Sequence, residues 1–152
     1  MAAKHFGAAA DLAHQARADQ PDNLGLARLE AQALRQSGKA DQGIALLEGQ
    51  LQKHSDDPEA YVALAEVYSE SNRGAQAVKV LQDAQAKFPS ENSLTFELAA
   101  VFEKQKKYAD AEAVFRQLIA REPNHAGALN YLGYMLAPVS YTHLTLPTKR
   151  IV

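Results

Sequence analysis

The strongest constraint on this chain is a period. The segments "ARADQPDN", "LQKHSDDP", "QAKFPSEN" and "IAREPNHA" each close a helix-like stretch with a polar turn, and their equivalent residues are Pro21, Ser55, Pro89 and Pro123. Each interval is 34 residues. Equal intervals imply one supersecondary unit repeated along the chain, each burying its apolar face against its neighbours. Taking that turn residue as position 32 of a unit, small residues recur at position 8 (Ala31, Ala65, Ala99, Gly133) and position 20 (Ala9, Gly43, Ala77, Ala111). Position 11 holds Leu34, Tyr68, Phe102 and Leu136, and position 24 holds Ala13, Leu47, Leu81 and Phe115. Small residues facing large ones are how paired helices interdigitate.

Composition agrees with helices. Of 152 residues 47% are hydrophobic, with alanine dominant, tryptophan absent and β-branched residues sparse before the C-terminal tail. The formal charge of −2, from 16 basic against 18 acidic residues, includes no basic block able to neutralise a run of phosphates, which argues against nucleic acid as a partner. Without cysteine there are no disulfides, thiolate nucleophiles or Cys-ligated metals, and both a reducing cytoplasm and a periplasm are compatible with that. The N-terminal stretch lacks a signal-peptide h-region and no apolar run is long enough to span a bilayer. As written the chain reads as cytoplasmic, with no membrane insertion; a longer parent could be exported to the periplasm or envelope.

These residues resemble the tetratricopeptide repeat family, whose motif asks for small residues at positions 8 and 20, leucine or aromatic residues at 11 and 24, and proline near 32. The resemblance covers residues 1–137 and implies an all-α fold, a right-handed α-solenoid of antiparallel helix pairs, A then B. Glu30 departs from the family's usual leucine, Gly74 from its aromatic or leucine, and Lys106 from its frequent glycine. The frame gives a partial repeat at 1–23, full repeats at about 24–57, 58–91 and 92–125, and a truncated one at 126–137. Caps and periodicity predict helices at about 4–19, 24–37, 40–54, 58–71, 74–87, 92–105, 108–121 and 126–137. Asp57 is placed to cap the fourth, with Pro58 at its first position, and Gly38 and Asn72 suit the left-handed turns from A to B.

On this reading the array begins on a lone B helix and ends on a lone A helix. The last presents Leu129, Leu132 and Leu136 uncovered, each worth roughly 1.5–3 kcal/mol when fully buried. An internal piece of a longer array, with self-association through the uncapped ends, is the expectation. The stretch "NHAGALNYLGYMLA" is similar to junctions in long proteobacterial repeat proteins.

No phosphate-binding glycine loop, HExxH, GxSxG or nucleophile-and-base constellation is present. "DQPDNLGLARLE", Asp19 to Glu30, imitates a calcium loop, but proline at its third position and glycine at its seventh spoil the ligands and the turn. His5, His14, His54 and His125 form no i,i+4 pair, and His54 and His125 are expected as solvated residues near helix ends. No catalytic residue, metal or cofactor is assigned. Tyr61 and Tyr68 are expected in the core.

The resemblance implies that ligand peptides lie along a concave face made by A helices. The corresponding residues are Arg28, Gln32 and Arg35; Val62, Glu66, Ser69 and Glu70; Phe96, Ala100, Glu103 and Lys104; and Asn130, Tyr131 and Tyr134. That groove is expected to be basic at its N-terminal end and acidic through its middle. Glu66 and Glu70, like charges at i,i+4, point to a partner bearing a Lys- or Arg-rich segment. The family's carboxylate clamp, a Lys, Asn, Asn, Lys set, is not matched by Arg28, Gln32, Ala63 and Lys104, which disfavours a chaperone adaptor. The reading is a non-enzymatic scaffold for a protein or peptide partner. Its alternatives are a substrate-recruiting segment of a larger enzyme and, more remotely, an RNA-binding helical solenoid.

From Pro138 onward the pattern stops. "VSYTHLTLPT" resembles the in-frame translation of a transposon-end adapter used in sequencing libraries, and residues 138–152 are expected to be a non-native or disordered tail. A β-edge peptide, a secretion signal and a solvated extension are the alternatives.

Overall fold

Each predicted helix forms. The structure, a computed structural model, describes residues 2–136, and these contain α1 (Ala2–Ala18), α2 (Leu24–Gln36), α3 (Ala40–Lys53), α4 (Pro58–Glu70), α5 (Gly74–Lys87), α6 (Asn92–Lys104), α7 (Tyr108–Arg121) and α8 (Ala126–Leu136), with no strand among them. Every boundary lies within two residues of its expected place. The adapter-like segment 138–152 lies outside the described residues.

The turns explain why the boundaries repeat. Gly38, Asn72 and Lys106 take positive φ of 89°, 61° and 63°. Around each, the next residue's N–H reaches back to the last helical turn: Lys39 to the Leu34 carbonyl at 2.7 Å, Arg73 to Tyr68 at 2.8 Å, Lys107 to Phe102 at 2.9 Å. This is the Schellman closure, which satisfies carbonyls that the helix end leaves unpaired. Lys106 departs from the family's glycine without departing from its conformation, because the closing bonds hold a side-chain-bearing residue left-handed at modest cost.

Helix starts are capped as the sequence requires. Asn23 accepts from the Leu26 N–H and Asp57 from the Glu59 N–H, both at 3.0 Å, with Pro58 in the first helical turn. His125 Nδ1 accepts from the Ala128 N–H at 3.0 Å. The expectation of a merely solvated imidazole is therefore corrected: His125 caps α8, at the position that reads Asn23, Asp57, Glu91 and His125 along the period. His54, which follows α3, is likewise half-buried rather than solvated.

The described residues fall into two compact units that divide between Leu94 and Thr95, inside α6. In unit 1, α1 packs on α2, α2 on α3, α3 on α4 and α4 on α5, while the A helices α2 and α4 also touch. Its core is built from Ala27, Ala31, Leu47, Ala63, Leu64, Ala65, Val67, Ala77 and Leu81, all buried. The small residues set the spacing: a Cβ on Gly43 would sit 2.7 Å from the Ala31 carbonyl oxygen, so α2 and α3 approach through position 8 against position 20. Buried Gln50 donates to the Pro21 carbonyl at 3.0 Å, which ties the α1–α2 turn to α3.

Unit 2 packs around Ala99, Ala111, Phe115, Leu118 and Ala128, with Phe96, Phe102, Val114, Ile119, Tyr131 and Met135 against them. Arg121 donates to the hydroxyl of buried Thr95 at 2.6 Å, joining the end of α7 to α6.

Candidate functional site

In unit 1 the expected groove residues lie on α2 and α4. The Arg28 guanidinium donates to the Glu66 carboxylate, and its other terminal nitrogen is 3.9 Å from Glu59. Arg35 meets Glu70 at 3.0 Å. The basic end and the acidic middle are therefore two sides of one seam, and each carboxylate of the Glu66 and Glu70 pair faces a guanidinium. That corrects the expectation of a free acidic surface. The period places these residues on one face, and the arginine side chains are long enough to cross to the next A helix.

Burial pushes the Glu66 carboxyl above its ordinary value of 4.5; Arg28 pulls it down without cancelling that, and Glu70 and Glu59 add upward pressure. Two polar atoms of the seam, Arg35 Nε and Glu66 Oε2, are buried without a hydrogen-bond partner among the described residues. Gln32 on α2 and Ser69 on α4 are half-buried. Val62, expected in the groove, is instead buried in the core, 7% exposed.

A second polar cluster was not foreseen. Glu30, the departure from leucine, is 6% exposed and accepts from Arg17 Nε at 2.7 Å, with His14 Nδ1 at 2.9 Å from its other oxygen. His14 and Arg17 stand at i,i+3 on α1, so both reach the same carboxylate. The available signal was a charge at a core position, which requires a partner on the facing helix.

In unit 2 the expected groove residues separate. Phe96 and Tyr131 are half-buried in an aromatic cluster: their centroids are 5.6 Å apart, Phe96 meets Phe115 edge-on at 5.9 Å, and Tyr131 stacks on Phe115 at 5.3 Å. Phe96 also stacks on the capping His125 at 5.2 Å. Both rings thus belong largely to the packing, because position 5 of α6 and position 6 of α8 turn toward one another. Tyr134 is 74% exposed. Asn130 and Lys104 are exposed, and Ala100 and Glu103 half-buried.

Tyr68 is buried and donates to Glu48 at 3.1 Å; half-buried Tyr61 donates to the Ser55 carbonyl at 3.0 Å and meets Phe88 edge-on. Among the described residues, no group of three His, Asp or Glu side chains could hold a metal ion, and no helix is long and apolar enough to cross a membrane.

Antiparallel helix pairs with small residues at their crossings, repeating every 34 residues, define an all-α solenoid of the helical-repeat class. Two profiles of the tetratricopeptide repeat match the chain, over residues 34–100 and 96–137, and the chain belongs to that family. TPR repeat-containing protein PA4667 of Pseudomonas aeruginosa is 30% identical over 112 residues, covering 71% of this chain and 18% of that protein. The chain thus spans a minor part of that relative's length. A crystal structure of MamA is similar with a TM-score of 0.60 at 18% identity, covering 86% of this chain and 76% of that one. A second MamA structure, AMB-1, gives 0.57 at 20% identity, covering 88% and 79%. These two likenesses establish the fold.

Proposed function

We propose that this protein-interaction scaffold takes a peptide or helix along the faces of its A helices, and that unit 1 reads the partner's backbone amides rather than a basic segment. The observation that carries the proposal is the α2–α4 seam. Arg28 and Arg35 already answer Glu66 and Glu70, so a lysine or arginine from a partner would have to displace a guanidinium for no net gain in charge pairing. Among the buried side-chain atoms of the seam, a donor, Arg35 Nε, and an acceptor, Glu66 Oε2, lack a hydrogen-bond partner among the described residues. A peptide group offers their complements, a carbonyl and an N–H. Both atoms are buried, so the partner engages them as the seam side chains rotate apart, and a new N–H on Glu66 offsets the desolvation that raises its pKa.

The test is selection of unstructured peptides from a display library on the full chain, followed by titration of those recovered. The expected peptides are not enriched in lysine or arginine, bind nearly equally at about 50 mM and about 0.5 M salt, and shift the Arg35 Nε–H resonance. Basic peptides whose binding weakens steeply with salt, or binding that leaves Arg35 unmoved, overturn the proposal.

A further inference from the structure

We propose that the turn from α6 to α7, residues 104–108, docks a short acidic segment of a partner protein. The A-to-B turn occurs three times, as "QSGKA" from Gln36, "ESNRG" from Glu70 and "KQKKY" from Lys104. In the first, Lys39 is the single charge. In the second both charges are answered: Glu70 meets Arg35 at 3.0 Å, and Arg73 donates to Asp41. In the third, Lys104, Lys106 and Lys107 are all exposed. None of the three has a carboxylate within ion-pair distance among the described residues, although Glu103 and Asp110 flank them in the sequence.

Folding accounts for part of this pattern and not for the rest. Lys104 lies in the last turn of α6, where the helix dipole favours a cation. A basic residue at the start of the B helix is common to the three turns: Lys39, Arg73 and Lys107 are the N-caps of α3, α5 and α7, and none makes a side-chain cap bond. What the third turn adds is harder to explain by stability. Lys106 is held left-handed at φ 63°, the conformation that Gly38 and Asn72 take at the equivalent places. A cation there gains less from the dipole than the conformation costs a residue with a Cβ. Tyr108 is 51% exposed, whereas the equivalent Ala40 and Gly74 are small and half-buried. The turn thus sets three unpaired cations beside an open ring, at some cost to the fold.

Charge complementarity selects the partner. A lysine ammonium offers three donors and no acceptor, so carboxylates are the side chains that the turn recognises. Residues 104 to 107 span at most about 11 Å of backbone, close to the Debye length of about 8 Å at physiological ionic strength. The three lysines therefore act together on a bound anion, while carboxylates farther away are screened. Three lysines are too few to neutralise a run of nucleic-acid phosphates, and a flat anionic membrane would also meet exposed Asp110. A peptide is narrow enough to lie over the lysines and pack a side chain on Tyr108. None of these residues belongs to the α2–α4 seam, so this proposal and the one for the seam stand or fall separately.

The experiment titrates the full chain with a short, end-blocked peptide of alternating aspartate and glutamate, with its asparagine and glutamine counterpart, and with vesicles of equal parts phosphatidylserine and phosphatidylcholine. The acidic peptide is expected to move the amide resonances of residues 104–108, to leave the Arg35 Nε–H in place, and to bind about tenfold more weakly at about 0.5 M than at about 50 mM salt. The neutral peptide and the vesicles are expected not to bind. Lys106→Gly relaxes the backbone, so it is expected to raise the melting temperature while weakening the acidic peptide roughly twofold to fivefold. Adding Lys104→Gln and Lys107→Gln brings the loss to about tenfold or more. Lys39→Gln, Lys53→Gln and Lys79→Gln together remove the same charge elsewhere and are expected to leave binding within about twofold. Equal losses in the two triple variants, shifts centred outside residues 104–108, or an acidic peptide that fails to bind at millimolar concentration, with or without binding of the vesicles, overturns the proposal.

Discussion

Position 5 is Arg28 in α2 and Phe96 in α6, and the two repeats join consecutive A helices by different means. In unit 1 the joint is a ladder of guanidinium and carboxylate, Arg28 with Glu66 and Arg35 with Glu70. In unit 2 it is a set of rings, Phe96 with Tyr131 and His125, backed by Phe115. Both repeats keep the small residues at positions 8 and 20. Register is thus fixed by backbone approach, while the chemistry of the joint is free to vary. Rings hold by area and dispersion and neglect salt; partly exposed ion pairs contribute less and respond to ionic strength and pH.

The sharpest way to break the comparison is to remove a ring. Phe115→Ala deletes a fully buried side chain and is expected to cost about 3–5 kcal/mol, the same at low and high salt in urea unfolding followed by circular dichroism. A strongly salt-dependent loss would show that unit 2 also leans on charge.

Unit 1 is probed next at its buried charge. Arg17→Ala leaves the Glu30 carboxylate without its closest partner and is expected to cost roughly 3 kcal/mol, while Glu30→Leu stays within about 1 kcal/mol of the parent. Equal losses in the two variants would mean that Arg17 is not what makes a buried Glu30 tolerable.

The smallest effect is the one that separates the two joints most cleanly. With its folded pKa raised above 4.5, Glu66 binds its proton more tightly in the folded state than in the unfolded chain. Its contribution is therefore complete below 4.5 and is lost as pH rises through the folded value. Compared with Glu66→Gln, the parent is expected to gain stability as pH falls from about 7 toward about 5, measured by paired denaturant titrations. A gap that stays constant, or that widens against the parent on acidification, would contradict the burial of Glu66.

Much of the architecture was legible because a period constrains many residues at once. Pro21, Ser55, Pro89 and Pro123 located the helices to within two residues, and glycine and asparagine marked two of the three left-handed turns. Lys106 carries no such propensity, so its conformation could only come from the bonds around it. The candidate site was harder to read. A period places Arg28 and Glu66 on one face without saying that they meet, since that depends on rotamers and burial. His125 was read by its helix-end position alone, which gave neither its cap to Ala128 nor its stacking on Phe96. Glu30 was visible as an anomaly, but its partners lie on α1, in the most degenerate part of the array.

Gly43 has a consequence for how such a gene changes length. Crossovers between equivalent turns delete one repeat and leave the turn backbones alike. Joining Asn72 to Lys107 would put Ala111 where Ala77 stood, alanine for alanine. Joining Gly38 to Arg73 would put Ala77 where Gly43 stood, with a methyl group 2.7 Å from the Ala31 carbonyl oxygen. Recombination is therefore tolerated unequally along the array, and the α2–α3 crossing at Gly43 is the place where a shuffled repeat is rejected.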